Sequence, residues 1–307
     1  MFDEIRYEIN GVEIDRTRYL GISSILKNYI SINSIENNMM LNAGWSKETD
    51  LNKQKFNFYV PLNKLLGFSE DFTKVVLNCK HDLILLRSST DLNACYLTTQ
   101  TEKVKINITN ITWRIPHVHI SDETKLKIMK TIKDGKTIPI TFRSWDCHFN
   151  PTFPGAVKCN WNVKLSVNRE RPRFLVFAFE NNKKFIHCNL TNFKVHLNSD
   201  IYPYDDLNIK FDDNRYAVLY DMYARFQQSF YLKEPQPLLS CDEFKETPIT
   251  VIDVSHQNET IKAGPIDVKI EFETSQSIPE NTSAYCLIIH DRFIEYTPLT
   301  GTVRKII

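Results

Sequence analysis

The sequence predicts an all-β protein made of two tandem antiparallel sandwiches. Three observations support this class. Apolar and polar residues alternate in several short stretches, helical periodicity is confined to a few segments, and one alternating pattern recurs 188 residues later. The 307 residues suffice for two domains that each bury a core. The predicted division is a first sandwich over residues 1–120, a helical linker over 121–137, and a second sandwich over 138–307.

The first alternating stretch predicts a β-hairpin. Apolar and charged residues alternate up to Asn10-Gly11, a pair typical of two-residue turns, and the alternation resumes after it. In that register Tyr7 faces Ile14 on an apolar face, and Arg6 lies opposite Asp15 as an ion pair on the other face. One face of the hairpin is therefore predicted to be buried.

Further strands follow from the same periodicity. Period-2 stretches, which are typical of half-buried antiparallel strands, occur at Val104–Ile108, Phe193–Leu197 and Val268–Phe272. After the stretch Val104–Ile108 the apolar residues move from even to odd positions, Trp113 among them. This shift by one residue predicts a β-bulge near Asn110. Two runs are apolar on both faces and predict central strands covered on two sides, namely Leu83–Leu86 and Phe174–Phe179.

Three helices are predicted, over residues 16–30, Ser121–Asp134 and Asn214–Phe230. The second has Ser121 as its cap, and Gly135 stops it. The third carries an aromatic stripe that should pack on a sheet, and Asp212-Asp213 is its predicted N-cap.

The two halves share an order of elements that indicates duplication. Phe193–Ser199 repeats the alternation of Ile5–Gly11 and its closing pair of Asn and a small residue. Each is followed by a helical segment, then a strand (Lys74–Leu77; Asp267–Glu273), then a final strand region (Ile108–Ile115; Tyr285–Phe293). About 55 residues precede the second hairpin within its half, and four precede the first. The first sandwich is therefore expected to lack its opening strands and to leave an edge or core open.

Composition limits the partners. Lys plus Arg number 38 against 37 Asp plus Glu, so no field of one sign is available to grip nucleic acid along a broad face. The short clusters Arg169–Arg173 and Arg304-Lys305 are interpreted as solvated strand ends. Seven cysteines without a Cys-x-x-Cys pair predict reduced thiols in an intracellular protein. No apolar run is long enough to span a bilayer, so membrane insertion is not expected.

Two constellations could carry chemistry. His117-x-His119 places two imidazoles on one face of a strand, with His81 or Cys79 as a third metal ligand. Two such residues at a strand end are more often ordinary polar residues. Asp146–His148 puts a thiol next to an imidazole in sequence, but neighbouring strand residues point to opposite faces, so activation of the thiol is not expected.

The acidic groups Asp205-Asp206, Asp212-Asp213 and Asp221 could suggest Ca²⁺ or paired-carboxylate chemistry, but their surroundings predict turns and a helix start. Glycine-rich phosphate loops and nucleophile-elbow motifs are not found, and the chain has only eight glycines. No catalytic, cofactor-binding or metal-binding residue is predicted, and the chain is not expected to be an enzyme.

Longer strings of this sequence resemble a known family, the double jelly-roll, major-capsid-like proteins of insect genomes and related viral elements. The resemblance spans nearly the whole chain. It lies in Ile5–Asp15, Phe58–Leu62 with Leu66–Phe68, Tyr202–Asp205, Tyr216–Gln227 and Ser283–Arg292. Relative to that family, the sequence lacks β-strand sequence ahead of the first hairpin, in agreement with the opening strands missing from the internal repeat.

The resemblance implies two eight-stranded jelly rolls side by side, homotrimers with a pseudo-sixfold outline, and a capsid lattice like those of adenovirus-like, large-DNA-virus and Maverick/Polinton-type coats. It implies a virion protein that assembles in the cytoplasm or nucleus, with minor capsid proteins as further candidate partners, and no catalytic residues. The alternative is a carbohydrate- or ligand-binding β-sandwich. The tryptophans at 45, 113, 145 and 161 would then supply stacking platforms, although tryptophans on strands are more often core residues.

Overall fold

The computed structural model describes residues 1–44, 55–91, 94, 105–153, 155–164, 170–257 and 264–306. Antiparallel strands dominate, and the helices are short. The strands are β1 Phe2–Ile9, β2 Val12–Arg18, β3 His81–Arg87, β4 Ile138–Asn150, β5 Lys158–Lys164, β6 Pro172–Asn181, β7 Lys184–Ile186, β8 Leu190–Leu197, β9 Asp200–Tyr202, β10 Thr250–Asp253, β11 Val268–Thr274, β12 Ser283–Thr297 and β13 Thr302–Lys305. The α-helices are α1 Leu20–Ser31, α2 Ser34–Met40, α3 Gly67–Asp71, α4 Asp122–Lys133, α5 Ala217–Tyr231 and α6 Cys241–Glu246. Within the described ranges, no helix combines the length and apolar character needed to cross a membrane.

Eight strands of the second half form a two-layer sandwich. One layer has the order β10-β6-β12-β4, and the other has the order β5-β11-β8-β9. Aromatic side chains from the two layers meet between them, with the ring of Phe177 on β6 centred 4.8 Å from Phe193 on β8 and 5.8 Å from Phe272 on β11. Eight strands in two facing antiparallel sheets are the make-up of a jelly roll.

Strand β6 is buried on both faces, as its continuous apolar run predicts. Its inner face contributes Phe177 to the sandwich interior, and its outer face contributes Phe174. The ring of Phe174 lies 5.1 Å from Phe226 and 5.8 Å from Phe230, both on the aromatic stripe of α5. The predicted packing of this helix on a sheet is thereby confirmed.

The first half contains a three-stranded sheet in the order β2-β1-β3. Its inner face packs against a core that the second half helps to build, because the far ends of β4 and β12 extend over it. Ile140 and Phe142 on β4, with Ile294 and Tyr296 on β12, belong to the same buried cluster as Ile5. Strands β4 and β12, which lie in the predicted second sandwich, therefore also contribute to the core under the first-half sheet, and α4 lies within the predicted linker.

Three strands of the first half correspond to three of the second, with β1, β2 and β3 matching β8, β9 and β11. In the first, Ile5, Tyr7 and Ile9 pair with Leu85, Leu83 and His81; in the second, Phe193, Val195 and Leu197 pair with Phe272, Ile270 and Val268. The turns also correspond, because Asn10 and Asn198 both have positive φ, near 50° and 54°. Each accepts a hydrogen bond at its side-chain oxygen from the backbone N–H just before the third strand, Lys80 at 2.8 Å and Asp267 at 2.9 Å.

The predicted register of the first hairpin is wrong by one residue beyond the turn. A bulge between Tyr7 and Glu8 places Tyr7 opposite Asp15 and Arg6 opposite Arg16. Arg6 instead pairs with Glu4 at 2.7 Å and with Glu13 at 3.3 Å. The bulge turns Asp15 inward, where it is fully buried.

Three predicted strand features of the first half are also wrong. Residues 74–77 and 105–115 form no strand, so the bulge expected near Asn110 has no ladder to interrupt; Val104 lies outside the described residues. Strand β3 is not central, because among the described residues it pairs only with β1, and Leu86 is 44% exposed. An alternating pattern needs a paired neighbouring strand to become a ladder, and no described strand pairs with residues 74–77 or 105–115.

Two helix starts differ from the prediction. Strand β2 continues to Arg18, so α1 begins only at Leu20. Helix α5 begins at Ala217 with Tyr216 as N-cap and without a side-chain cap. Asp213 instead bonds Lys210 at 2.5 Å within the preceding turn. The Ser121 cap of α4 is confirmed.

Candidate functional site

The predicted histidine and cysteine ligands do not come together as a metal site. His117 and His119 are exposed, and no described cluster of three ligating side chains includes them. Cys79 and His81 do meet, with Sγ 3.3 Å from Nε2. The other nitrogen of His81, Nδ1, lies 2.6 Å from the hydroxyl of Tyr7. Both nitrogens of His81 therefore have protein partners.

The Asp146–His148 stretch does not activate its thiol. Burial raises the pKa of Cys147 to about 12, and its Sγ lies 4.0 Å from the carbonyl oxygen of His148. Burial also lowers the pKa of His148. A thiol with a raised pKa carries little of the thiolate that nucleophilic catalysis needs.

The acidic candidates are separated, and several have cations of their own. Asp206 lies 2.7 Å from Lys194, and Asp221 lies 2.7 Å from Arg225. Each such pair sits on the surface, where an ion pair is worth about 0–1 kcal/mol. These groups form no described cluster of metal ligands.

The tryptophans and the basic clusters also have structural surroundings. Trp145 is buried in the main core, while Trp113 and Trp161 pack half-buried against core side chains. Arg173 lies 2.6 Å from Asp291, and Lys305 lies 3.8 Å from Glu13. Trp45 and Arg169 lie outside the described residues.

Sequence reasoning missed a buried ionic cluster in the second half, formed by Asp146, Glu170 and His290, whose ligand atoms lie within 4.8 Å of one another. Lys164 donates to Glu170 at 2.5 Å and lies 3.6 Å from Asp146. Arg292 donates from Nε to His290 Nε2 at 3.3 Å. Two cations already balance the two carboxylates, so a metal ion would have to displace them.

Protonation in this cluster follows its burial and charges. Burial lowers the pKa of His290 and favours the neutral imidazole. Burial opposes ionisation of Asp146 and Glu170, but the neighbouring cations, Lys164 and Arg292 among them, outweigh it and lower the pKa of both carboxyls. Lys164 ends β5 in one sheet while Asp146 and His290 lie on β4 and β12 in the other, so the cluster ties the two layers together.

A second missed feature is the joint between the halves. The buried carboxylate of Asp15 accepts hydrogen bonds from the hydroxyl of Ser144 on β4 at 2.5 Å and from the N–H of Phe68 at 2.8 Å. A β-carbon on Gly67 would overlap the carbonyl oxygen of Arg143. Glycine is therefore needed for the close approach of this segment to β4. A lone glycine within an apolar run was the sequence signal for it.

Lys27 completes the joint. It is fully buried on α1, with Nζ 3.0 Å from both carboxylate oxygens of Glu70 and 2.7 Å from the hydroxyl of Tyr231. It also lies 4.8 Å from the ring centres of Trp145 and Phe230. Burial lowers the pKa of Lys27, and Glu70 opposes that shift. The joint thus links the helices that follow the two hairpins.

Comparison with protein families gives a match over residues 1–294 to the model of the double jelly roll-like domain. The chain belongs to the double jelly roll-like domain family. Comparison with curated protein sequences gives no significant match.

Solved structures share the fold at low sequence identity. The crystal structure of PBCV-1 VP54 fitted into a cryo-EM reconstruction of the virophage Sputnik aligns with a TM-score of 0.55 and 10% identity, over 100% of this chain and 83% of that one. A quasi-atomic model of the PBCV-1 virus capsid gives 0.52 and 10% over the same shares. The resemblance noted from the sequence and the predicted mostly-β double jelly-roll class are confirmed.

Proposed function

We propose that this protein is a structural subunit of a virus-type coat and not an enzyme. The observation that carries the proposal is the family membership of residues 1–294, together with a fold shared over the whole chain with a PBCV-1 capsid structure. The interior supports it as well. Buried Lys27 is paired with Glu70 and Lys164 with Glu170, and the pKa of the buried Cys147 thiol is raised, so none of these is an activated catalytic group.

The subunit associates with itself into homotrimers with a pseudo-hexameric outline, and the trimers tile a capsid lattice in the virion. Minor capsid proteins are further partners, and assembly takes place inside the host cell. Exposed apolar side chains support such contacts, since contiguous apolar surface marks protein interfaces. On α2, Ile35 and Met39 stand four residues apart on one helix face and are each 73% exposed. We assign this face to contacts between subunits.

The test is the mass and shape of the expressed chain. Light scattering coupled to gel filtration is expected to give a trimer of about 108 kDa, three times the 36.0 kDa of the chain. Negative-stain images are expected to show hexagonal outlines. A monomer at every concentration, with selective binding on a glycan array, would contradict the proposal and favour the carbohydrate-binding alternative.

A matched variant tests the assigned face. Met39→Glu places a charge on that face without touching a core side chain, so we expect monomers with an unchanged circular dichroism spectrum. Met39→Leu keeps the apolar surface and is expected to remain trimeric. If both variants form trimers, α2 does not contribute to the contacts between subunits.

A further inference from the structure

The internal repeat predicts what should lie beside β3. Strand β11 has two neighbours, β8 and β5, whereas its equivalent β3 has one neighbour, β1, among the described residues. The pairing of β3 with β1 matches that of β11 with β8 residue for residue. The position that β5 occupies in the second half therefore has a definite counterpart in the first, along the outer edge of β3.

The backbone groups along that edge can be assigned. The carbonyl of Lys80 accepts from Asn10, and the N–H of Ser88 donates to Met1, so even-numbered residues of this stretch turn their hydrogen-bonding groups toward β1. The alternation of antiparallel ladders then turns the groups of Leu83 and Leu85 away from β1. In the second half, the N–H of Thr274 donates to Val157 on the β5 side, which agrees with the same alternation.

Residues 105–120 expose apolar side chains, as expected beside a sandwich that lacks a strand. They cross the inner side of the sheet, where the guanidinium of Arg87 donates to the carbonyl of Ile106 at 3.0 Å and the ring of Trp113 lies 6.4 Å from Tyr7. Ile111 and Val118 in this stretch are 56% and 61% exposed. The sequence repeat matches Ile108–Ile115 to Tyr285–Phe293 in β12, where Ile288 and Ile289 are buried.

We propose that the outer edge of β3 binds an extended segment of another polypeptide as an added antiparallel strand, in the register that β5 adopts on β11. The bound segment has apolar side chains at alternate positions, as Cys159, Trp161 and Val163 alternate in β5. Those side chains would cover the apolar surface of residues 105–120. Main-chain hydrogen bonds to an open sheet edge are an established mode of peptide recognition.

A second copy of this chain fits the edge less well. Its strands β7, β9, β10 and β13 have three or four residues each, against seven in β3. Its β2, β3, β4 and β5 are long enough, but their inward apolar side chains already pack in its own cores, among them Ile14, Leu83, Trp145 and Cys159. The bound strand must carry apolar side chains that are not already buried in a core, which favours an extended segment of another polypeptide.

The probe is a fluorescein-labelled synthetic peptide with the sequence of residues 157–165, titrated into the full chain and followed by fluorescence anisotropy. Two matched peptides carry backbone N-methyl groups. In the first they block Cys159 and Trp161, whose N–H groups face β11 in the protein; in the second they block Asn160 and Asn162, whose N–H groups face away. We expect saturable binding of the unmodified and second peptides, and at least about tenfold weaker binding of the first.

Hydrogen exchange locates the site. Bound peptide is expected to slow exchange at Leu83 and Leu85 and to leave Ile270 and Phe272 unchanged. Equal weakening by both methylated peptides, absence of saturable binding, or protection at β11 would overturn the inference. So would protection of β3 that rises with protein concentration in the absence of peptide, because a second copy would then be the occupant. The coat function is tested separately by the trimer mass, so failure of one leaves the other standing.

Discussion

The two hairpin sheets of this protein have the same strand register and different surroundings. In the second half, β11 lies between β8 and β5, and a complete second layer faces it. In the first half, β3 has a neighbour on one side among the described residues, and the ends of β4 and β12 provide the buried cover. The pairing of β1 with β3 thus matches that of β8 with β11, whereas completion of each sheet depends on which other segments lie beside it.

The largest expected effect comes from breaking the joint between the halves. Lys27→Met should destabilise the protein by about 3–5 kcal/mol, because it leaves Glu70 charged and largely buried without its partner. The measurement is urea-induced unfolding at neutral pH. The double variant Lys27→Met with Glu70→Gln removes both charges and should recover most of the loss. A loss that the second substitution does not repair would show that packing, and not charge pairing, is what Lys27 supplies.

A matched pair of core substitutions compares the halves directly. Ile270→Ala should cost about 2–5 kcal/mol, because its side chain is fully buried. Leu83→Ala, at the equivalent position of β3, should cost about 1 kcal/mol, because its side chain is only partly buried. Both losses in free energy of unfolding are measured from the urea unfolding midpoints of the single variants. Equal losses would mean that the edge of β3 is covered in the same way as that of β11.

The two turns should respond alike. Asn10→Ala and Asn198→Ala each remove a side-chain acceptor and place alanine at a positive φ, so each should cost about 1–2 kcal/mol. Asn10→Gly and Asn198→Gly keep the backbone conformation easily and should cost less. Thermal unfolding of the four variants measures this. A clear difference between the two alanine variants would break the equivalence of the turns.

The smallest effect concerns pH and the ionic cluster of the second half. Because the folded-state pKa of His290 is lowered, the unfolded state binds protons more readily than the native state does. The free energy of unfolding should therefore fall as the pH drops below the ordinary His pKa of 6.5. Asp146 and Glu170 also have lowered pKa values, so their contribution is present above their ordinary values of 3.8 and 4.5 and is lost as the pH falls below them. His290→Gln should reduce the fall of the urea midpoint between about pH 7 and 5, where His81 and His148 still contribute, and should keep the loss below pH 5. An unchanged profile in the variant would assign the upper step to another histidine.

Much of the local structure was predictable. The Asn10-Gly11 turn, the strands β8 and β11, the run of β6 and the Ser121-capped helix follow from nearest-neighbour chemistry, which a sequence contains in full. The ionic cluster of Asp146, Glu170 and His290 could not be predicted in this way. Its members come from three separate segments, and none stands in a motif with fixed spacing.

By itself the sequence determined the antiparallel class, the duplication and the positions of the repeated turns, because alternation and turn residues act over a few positions. Only the tertiary structure decided that residues 105–115 stay outside a sheet, that a bulge turns Asp15 inward, and that Gly67 approaches β4. The reason is that a strand requires a neighbour for its backbone groups, and a buried charge requires partners. Both are supplied by segments distant in the chain.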